Sequence, residues 1–315
     1  MKSKPGLRAV WSFWSKPAQA GQGSPWPSEK LHLLSWILSV MEAKKHYGDD
    51  THLVTDDEGA RILVDGLGLG FGKVSTALNM IQEYDPSWWA LGKIVAYRSQ
   101  DVPFIHIDSD VFLWSKLPEE LETADVFAQN PEFFIVGDRH TWYIPDQLEK
   151  LLLYENQGWL PKEWNWYRAV FSDMLSAACC GIYGGTRLDF IHYCADMALQ
   201  ILDHDVNKQV LTTVDDKSKN LFLMLIEQFL PMACQEYHTD NKFSQFFGVK
   251  FKYLFNSMED AYYRAFRCGY THMISNSKSN PVVAERLESR VQEEYSDLYE
   301  RCVNYLRSTQ GASSV

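Results

Sequence analysis

The feature that most limits what this chain can fold into is the segment Pro103-Phe104-Ile105-His106-Ile107-Asp108-Ser109-Asp110-Val111-Phe112. A short apolar run ends in two carboxylates spaced i, i+2. A run of this length reads as a buried central strand, and such strands belong to sheets covered on both faces. Binding sites in open α/β sheets form outside the carboxyl ends of those strands. Two aspartates there are able to hold a hard divalent cation, and the cation a diphosphate. The spacing alone carries little, because Asp203-His204-Asp205 repeats it after the helical run 195–202. Residues two apart on a helix do not share a face, so that pair reads as a solvated helix end. Asp108 and Asp110 read as metal ligands, with a structural turn as the alternative.

The flanking pattern supports an α/β sheet. Residues 8–14 alternate and read as a first strand, and 17–28, rich in Pro, Gly and Ser, as a loop. Ser28 as N-cap and Gly48 as stop predict a helix through Tyr47. Thr51 to Thr55 is a second strand, followed by a helix over about 59–66. Gly66, Gly68, Gly70 and Gly72 match no phosphate-loop pattern and read as a turn. A strand over 73–78 and a helix over 88–98 precede the strand at 103–107. This alternation predicts a mainly parallel central sheet flanked by helices. Further on, 126–129 reads as a strand, 140–178 as helical and aromatic, and 180–186 as a small-residue strand and turn. Helices are expected near 187–203 and 218–230. Residues 243–255 are expected as strand and loop packed on the sheet. The whole of 1–315 reads as one domain, with a core over about 8–280 and a helical tail over 281–315.

Composition narrows the function classes. The chain has 315 residues, 46% of them hydrophobic, which is ample for a sizeable core. A net charge of -11 without any basic cluster argues against nucleic acid. The longest apolar candidate, Leu31 to Met41, is interrupted by His32, Ser35 and Ser39 and is too short to span a bilayer. Lys2, Lys4 and Arg8 precede no apolar stretch, so no secretory signal is expected. Six cysteines form no C-x-x-C pair, which suits reduced thiols in the cytoplasm. Eleven Trp and sixteen Tyr exceed what a core alone requires and suit stacking on sugar or base faces.

Asp108-Ser109-Asp110 after an apolar strand resembles the Asp-x-Asp motif of GT-A fold glycosyltransferases, which use nucleotide-sugars. Three more segments follow in the order this resemblance implies. Gly181-Ile182-Tyr183-Gly184-Gly185 is similar to the small-residue segment beneath donor sugar and acceptor. Ile226-Glu227-Gln228 is similar to the acidic-Gln pair that begins a helix in several retaining families. His272-Met273-Ile274-Ser275-Asn276-Ser277-Lys278 resembles the late His-x-x-Gly-x-x-Lys element of glycogenin-like (family 8) transferases, with Ser275 where that pattern has Gly. The likeness covers about residues 8–280 and extends to capsular-sugar transferases of a bacterial type.

The resemblance implies a GT-A, Rossmann-like α/β fold with helical additions. It implies a metal-dependent, more often retaining transferase that moves a sugar from a nucleotide-sugar, a UDP-sugar, to an unknown acceptor. Asp108, Asp110 and His272 would hold Mn²⁺ (or Mg²⁺), the imidazole favouring Mn²⁺. Lys278 would meet the diphosphate, and Lys93 the donor sugar or an acidic partner. Trp11, Ser12 and Trp14 with Thr55 and Asp56, at the ends of the first two strands, would hold base and ribose. Ser109, Gly184 and Gly185 would lie along the donor. Glu227, Gln228 and Asp110 would act in catalysis, and the Trp-rich stretch 159–167 would wall the acceptor pocket. Each has a plainer alternative: core packing for the tryptophans, a snorkelling Lys93, a solvated loop lysine at 278, a core-bonded Glu227 and a simple turn for the glycines. Two rival functions stay open. One is a haloacid-dehalogenase-type phosphatase with Asp108 as nucleophile and Asp110 as acid/base, although Val111-Phe112 follow the motif and more than a hundred residues precede it. The other is a non-catalytic nucleotide-sugar-binding protein on the same fold.

Overall fold

A computed structural model of the chain describes residues 6–22, 26–138, 140–239 and 241–312. Its strands are β1 (Arg8–Phe13), β2 (Thr51–Thr55), β3 (Lys73–Ser75), β4 (Phe104–Ile107), β5 (Val111–Leu113), β6 (Val126–Ile135), β7 (Met174–Gly185), β8 (Phe251–Tyr253) and β9 (Tyr270–His272). Seven of them form one sheet in the order β3-β2-β1-β4-β7-β6-β8, while β5 and β9 make a separate ribbon. Pairing is parallel from β3 through β4 and between β6 and β8; β7 runs antiparallel to both β4 and β6. The result is a mainly parallel, Rossmann-like α/β sheet flanked by helices.

Strand alternation divides the apolar side chains between two cores. Val10, Val54 and Phe104 pack on one face with Ile94, Tyr183 and Phe229. Trp11, Leu53 and Ile105 pack on the other with Leu34, Ile37 and Ile182. The helix Glu29–Tyr47 covers the second face. Its Ser28 hydroxyl accepts from the Leu31 N–H, and Gly48 ends it at φ 61°. The helices Pro281–Glu294 and Ser296–Ala312 dock against it through Leu287, Val291, Cys302 and Leu306.

From β1 the chain steps outward to β2 and β3, then returns to lay β4 on the other side of β1. Strand order therefore reverses between β1 and β4, and a crevice opens at their carboxyl ends. All six cysteines are free thiols. Among the described residues, no helix is long and apolar enough to cross a membrane.

Several local expectations need correction. Residues 140–178 are helical only in pieces, and from Met174 the chain is already in β7. Leu175 to Ala178 is buried and paired with β6, so sheet pairing overrides a helical reading of these residues. β3 stops at Ser75 and passes into a 3-10 turn over Ala77–Ile81. Phe243 is fully exposed rather than packed on the sheet. Within the expected loop 17–28, residues 23–25 lie outside the described residues.

Candidate functional site

The Asp-x-Asp segment is a tight turn between β4 and β5. The Asp108 N–H donates to the Gly181 carbonyl (3.0 Å), and the Val111 N–H returns to the Asp108 carbonyl (3.0 Å). Val111 then pairs with His272 across the ribbon, and the Met273 N–H donates to the Asp110 carbonyl (2.9 Å). This brings a residue from far down the chain beside the two aspartates. One ligand atom each from Asp108, Asp110 and His272 lie within 4.8 Å of one another.

The imidazole is held in one tautomer. Gln129 Oε1 accepts from the Tyr270 hydroxyl (2.6 Å) and lies 2.7 Å from His272 Nδ1, while Gln129 Nε2 donates to Asn130 (3.0 Å). An amide oxygen only accepts, so His272 donates from Nδ1. Its Nε2 lone pair then faces Asp110 Oδ1 at 3.7 Å. Burial lowers the His272 pKa to about 4, so the ring is neutral. Two carboxylates and a neutral, oriented imidazole suit a divalent cation, and a ring fixed through its other nitrogen is how such ligands are held. Gly181 makes the approach possible: a Cβ there would lie 2.5 Å from Gln129 Oε1 and 2.6 Å from His272 Nδ1.

Two lysines complete the charge pattern. Lys278 Nζ sits 2.5 Å from Asp110 Oδ2 and 5.6 Å from the Trp26 ring centre. The turn Ser275–Ser279 that carries it starts with Ser275 at φ 50°, a left-handed conformation that glycine adopts at less cost. Lys93 Nζ bridges Asp108 (3.0 Å) and Glu227 (2.5 Å) and donates to the Cys180 carbonyl (3.2 Å). Burial pushes the Asp108 carboxyl up to about 7, against Lys93 and helped by Asp110 and Glu227. Burial also acts to raise Asp110, but Lys278 and His272 outweigh it and hold that carboxyl below its usual range.

Above the carboxylates lies a cleft of about 130 Å³, at the carboxyl ends of β1 and β4. Ser12, Trp14, Lys93, Asp108, Ser109, Asp110 and Lys278, all singled out in the sequence, line it. His32, Trp36 and Trp89 line it too and were not foreseen. The i, i+4 spacing of His32 and Trp36 on a capped helix was the available signal, and the Trp36 indole N–H donates to His32 Nε2 (3.2 Å). His106, two residues before Asp108 on the same strand face, holds the Ser12 hydroxyl (2.9 Å). Nothing local marked Gln129, and Gly181 stood out only as part of the small-residue segment Gly181 to Gly185.

Other expected contacts fall elsewhere. Trp11 alternates to the opposite face from Ser12 and donates to Ser39 Oγ (3.0 Å), which in turn donates to the Asp108 carbonyl (3.1 Å). Thr55 is fully buried with its hydroxyl on the Phe13 carbonyl (2.6 Å). Asp56 caps the helix Asp57–Ala60 through the Gly59 N–H (2.8 Å) and also accepts from the Ser15 N–H, the Ser15 hydroxyl and Gln82. Gly184 and Gly185 pair with Ile105 and Phe104, at the other end of β4 from Asp108. There a Cβ would strike the Phe104 and Asp125 carbonyls at 2.0 and 2.1 Å. Glu227 lies wholly buried behind Lys93, away from the cleft wall. Gln228 accepts from the Tyr143 hydroxyl (2.5 Å). Trp164 is core against Phe229, and Trp159 stacks on His204, so the 159–167 stretch does not line the cleft.

A carboxylate must shed its proton to ligate a metal. With Asp108 raised to about 7, Mn²⁺ affinity is expected to hold above neutrality and to weaken about tenfold per pH unit below it. His272 adds no proton competition until about pH 4. Calorimetric titration with Mn²⁺ on both sides of neutrality checks this, and a flat profile would contradict it.

The fold and cleft define an α/β protein with a carboxylate–imidazole centre at a topological switch point. Residues 7–305 match a family of unknown function (DUF6734), and the chain belongs to that family. No curated protein matches it. Among solved structures, the WbbM bifunctional glycosyltransferase in its apo form is similar at 13% identity and a TM-score of 0.34, over 70% of this chain and 38% of that one. The chain thus spans well under half the length of that structure. The PaToxG glycosyltransferase is similar at 14% identity and a TM-score of 0.28, over 74% of this chain and 78% of that one.

Proposed function

We propose that the protein is a metal-dependent glycosyltransferase that moves a sugar from a UDP-sugar to an acceptor, with 8–280 as the transferase unit and the rest of the chain to 315 as a tail. One observation carries the reading: Asp108, Asp110 and His272 converge at the carboxyl ends of β1 and β4. These three would hold Mn²⁺ or Mg²⁺. When bound, the cation supplies charge neutralisation for the departing diphosphate.

The chain's own groups do the rest. Lys278, on a turn at the cleft wall, exchanges Asp110 for a phosphate oxygen as a point charge. Trp14, Trp36 and Trp89 offer aromatic faces to the base, and Ser12, oriented by His106, reaches a ribose hydroxyl. Lys93, fixed by Glu227, holds Asp108 toward the cleft as a positioning residue. Among the described residues, the carboxylates of the cleft lining are Asp108 and Asp110.

The test is UDP release from a panel of UDP-sugars with Mn²⁺ and with a chelator. Release is expected only with metal. Equal turnover in chelator, or hydrolysis of phosphate monoesters through an aspartyl-phosphate at Asp108, would overturn the reading.

A further inference from the structure

A second cavity, of about 820 Å³, lies between the β5–β9 ribbon and the helices Met258–Arg264 and Pro281–Glu294. That size falls within the roughly 300–1,000 Å³ of small-molecule sites. Its walls are mainly apolar, with Trp26, Phe112, Met258, Met273, Val283 and Leu287 prominent. It reaches the surface, where Phe266 is 93% exposed.

Polar groups mark its two ends. At the inner end His272 and Gln129 line the cavity, and Trp26, another lining residue, covers Lys278 of the smaller cleft. The cavity and the metal centre therefore share a wall. At the rim stand Arg286 and Arg290. Arg290 is engaged, bonded to Glu294 (2.5 Å) and set 5.3 Å from the Trp114 ring centre. Arg286 is exposed and has no hydrogen-bond or ion-pair partner among the described residues. In a chain of net charge -11, an unpaired guanidinium at the rim of an apolar chamber matches an anionic head group above an apolar body.

We propose that this cavity binds an anionic amphiphile. The apolar body fills the chamber, a carboxylate or phosphate head sits on Arg286, and the far end points toward His272.

The test uses full-length, metal-free protein without donor. The fluorescent anionic amphiphile 1-anilinonaphthalene-8-sulfonate is titrated in, then displaced by dodecanoate, dodecyl phosphate or dodecanol. One saturable site per chain is expected. Arg286→Gln, at an exposed position, is expected to weaken both anions about tenfold while leaving dodecanol unchanged. The ratio of dodecanoate to dodecyl phosphate affinity tells which head the site prefers. Ala261→Phe, placed on the cavity wall, is expected to block all three, with near-ultraviolet circular dichroism confirming the native fold. Absence of saturable binding, or binding unchanged by Arg286→Gln, would overturn the proposal. The two readings fail separately. Lost amphiphile binding with intact metal-dependent UDP release removes this one alone, and the converse removes the transferase reading and leaves the site.

Discussion

Lys93→Met is expected to lower the unfolding free energy by about 3–5 kcal/mol, the usual cost of stranding a buried charge. Lys93 is 7% exposed, and the Glu227 side chain it meets is completely buried. Burial alone would lower the lysine pKa; Asp108 and Glu227 outweigh it and hold the pKa well above normal, so the ammonium stays charged. Methionine keeps the apolar stem packing but removes the only cation that the Glu227 carboxylate meets in the ion pairs of the described residues. Asp108 and Glu227 then face each other unshielded. Urea unfolding reads the effect as a shift in midpoint at constant slope. The double variant Lys93→Met/Glu227→Gln is expected to recover a large part of the loss, because the second change removes the stranded charge. A single-variant loss under about 1 kcal/mol would place this pair with solvent-screened surface bridges.

Asp110→Asn is expected to reduce kcat/KM for metal-dependent UDP release by about 10²–10³-fold, and to lower the melting temperature as well, because the buried Lys278 ammonium loses its carboxylate partner. Asparagine keeps the shape of the turn, whose Val111 and Met273 hydrogen bonds come from the backbone. It removes one of the two negative ligand charges in the Asp108, Asp110 and His272 group. Mn²⁺ titration of the same variant separates lost metal binding from lost chemistry. Wild-type turnover by Asp110→Asn would remove the centre from the reaction.

Much of the sheet was legible because its signals are local. The helix Glu29–Tyr47 is bounded by the cap and stop residues that flank it. β2 spans Thr51–Thr55 because a short stretch rich in β-branched residues is bracketed by aspartates at 49–50 and 56–57. β4 ends where the apolar run meets Asp108. The decoy pair Asp203 and Asp205 sits at the ends of consecutive helices, as the preceding helical run indicated.

What escaped was whatever depends on face, register or long-range pairing. Alternation told that Trp11 and Ser12 oppose each other, yet only the covering helix decided that Trp11 enters the core and Ser12 the cleft. The Gly181 to Gly185 segment read as small residues beneath the donor, or a simple turn, but the antiparallel register with β4 decided that Gly181 meets His272 while Gly184 and Gly185 sit at the distant end. Glu227 read as a buried carboxylate needing a partner; tertiary packing alone chose Lys93. Sequence by itself determined the strand–helix alternation, the capped helix and the pair of aspartates at a strand end, because these rest on neighbours a few residues apart. Tertiary structure decided the β5–β9 ribbon, the Gln129-held imidazole and the large cavity beside it, because each joins segments more than a hundred residues apart, whose contact no local pattern encodes.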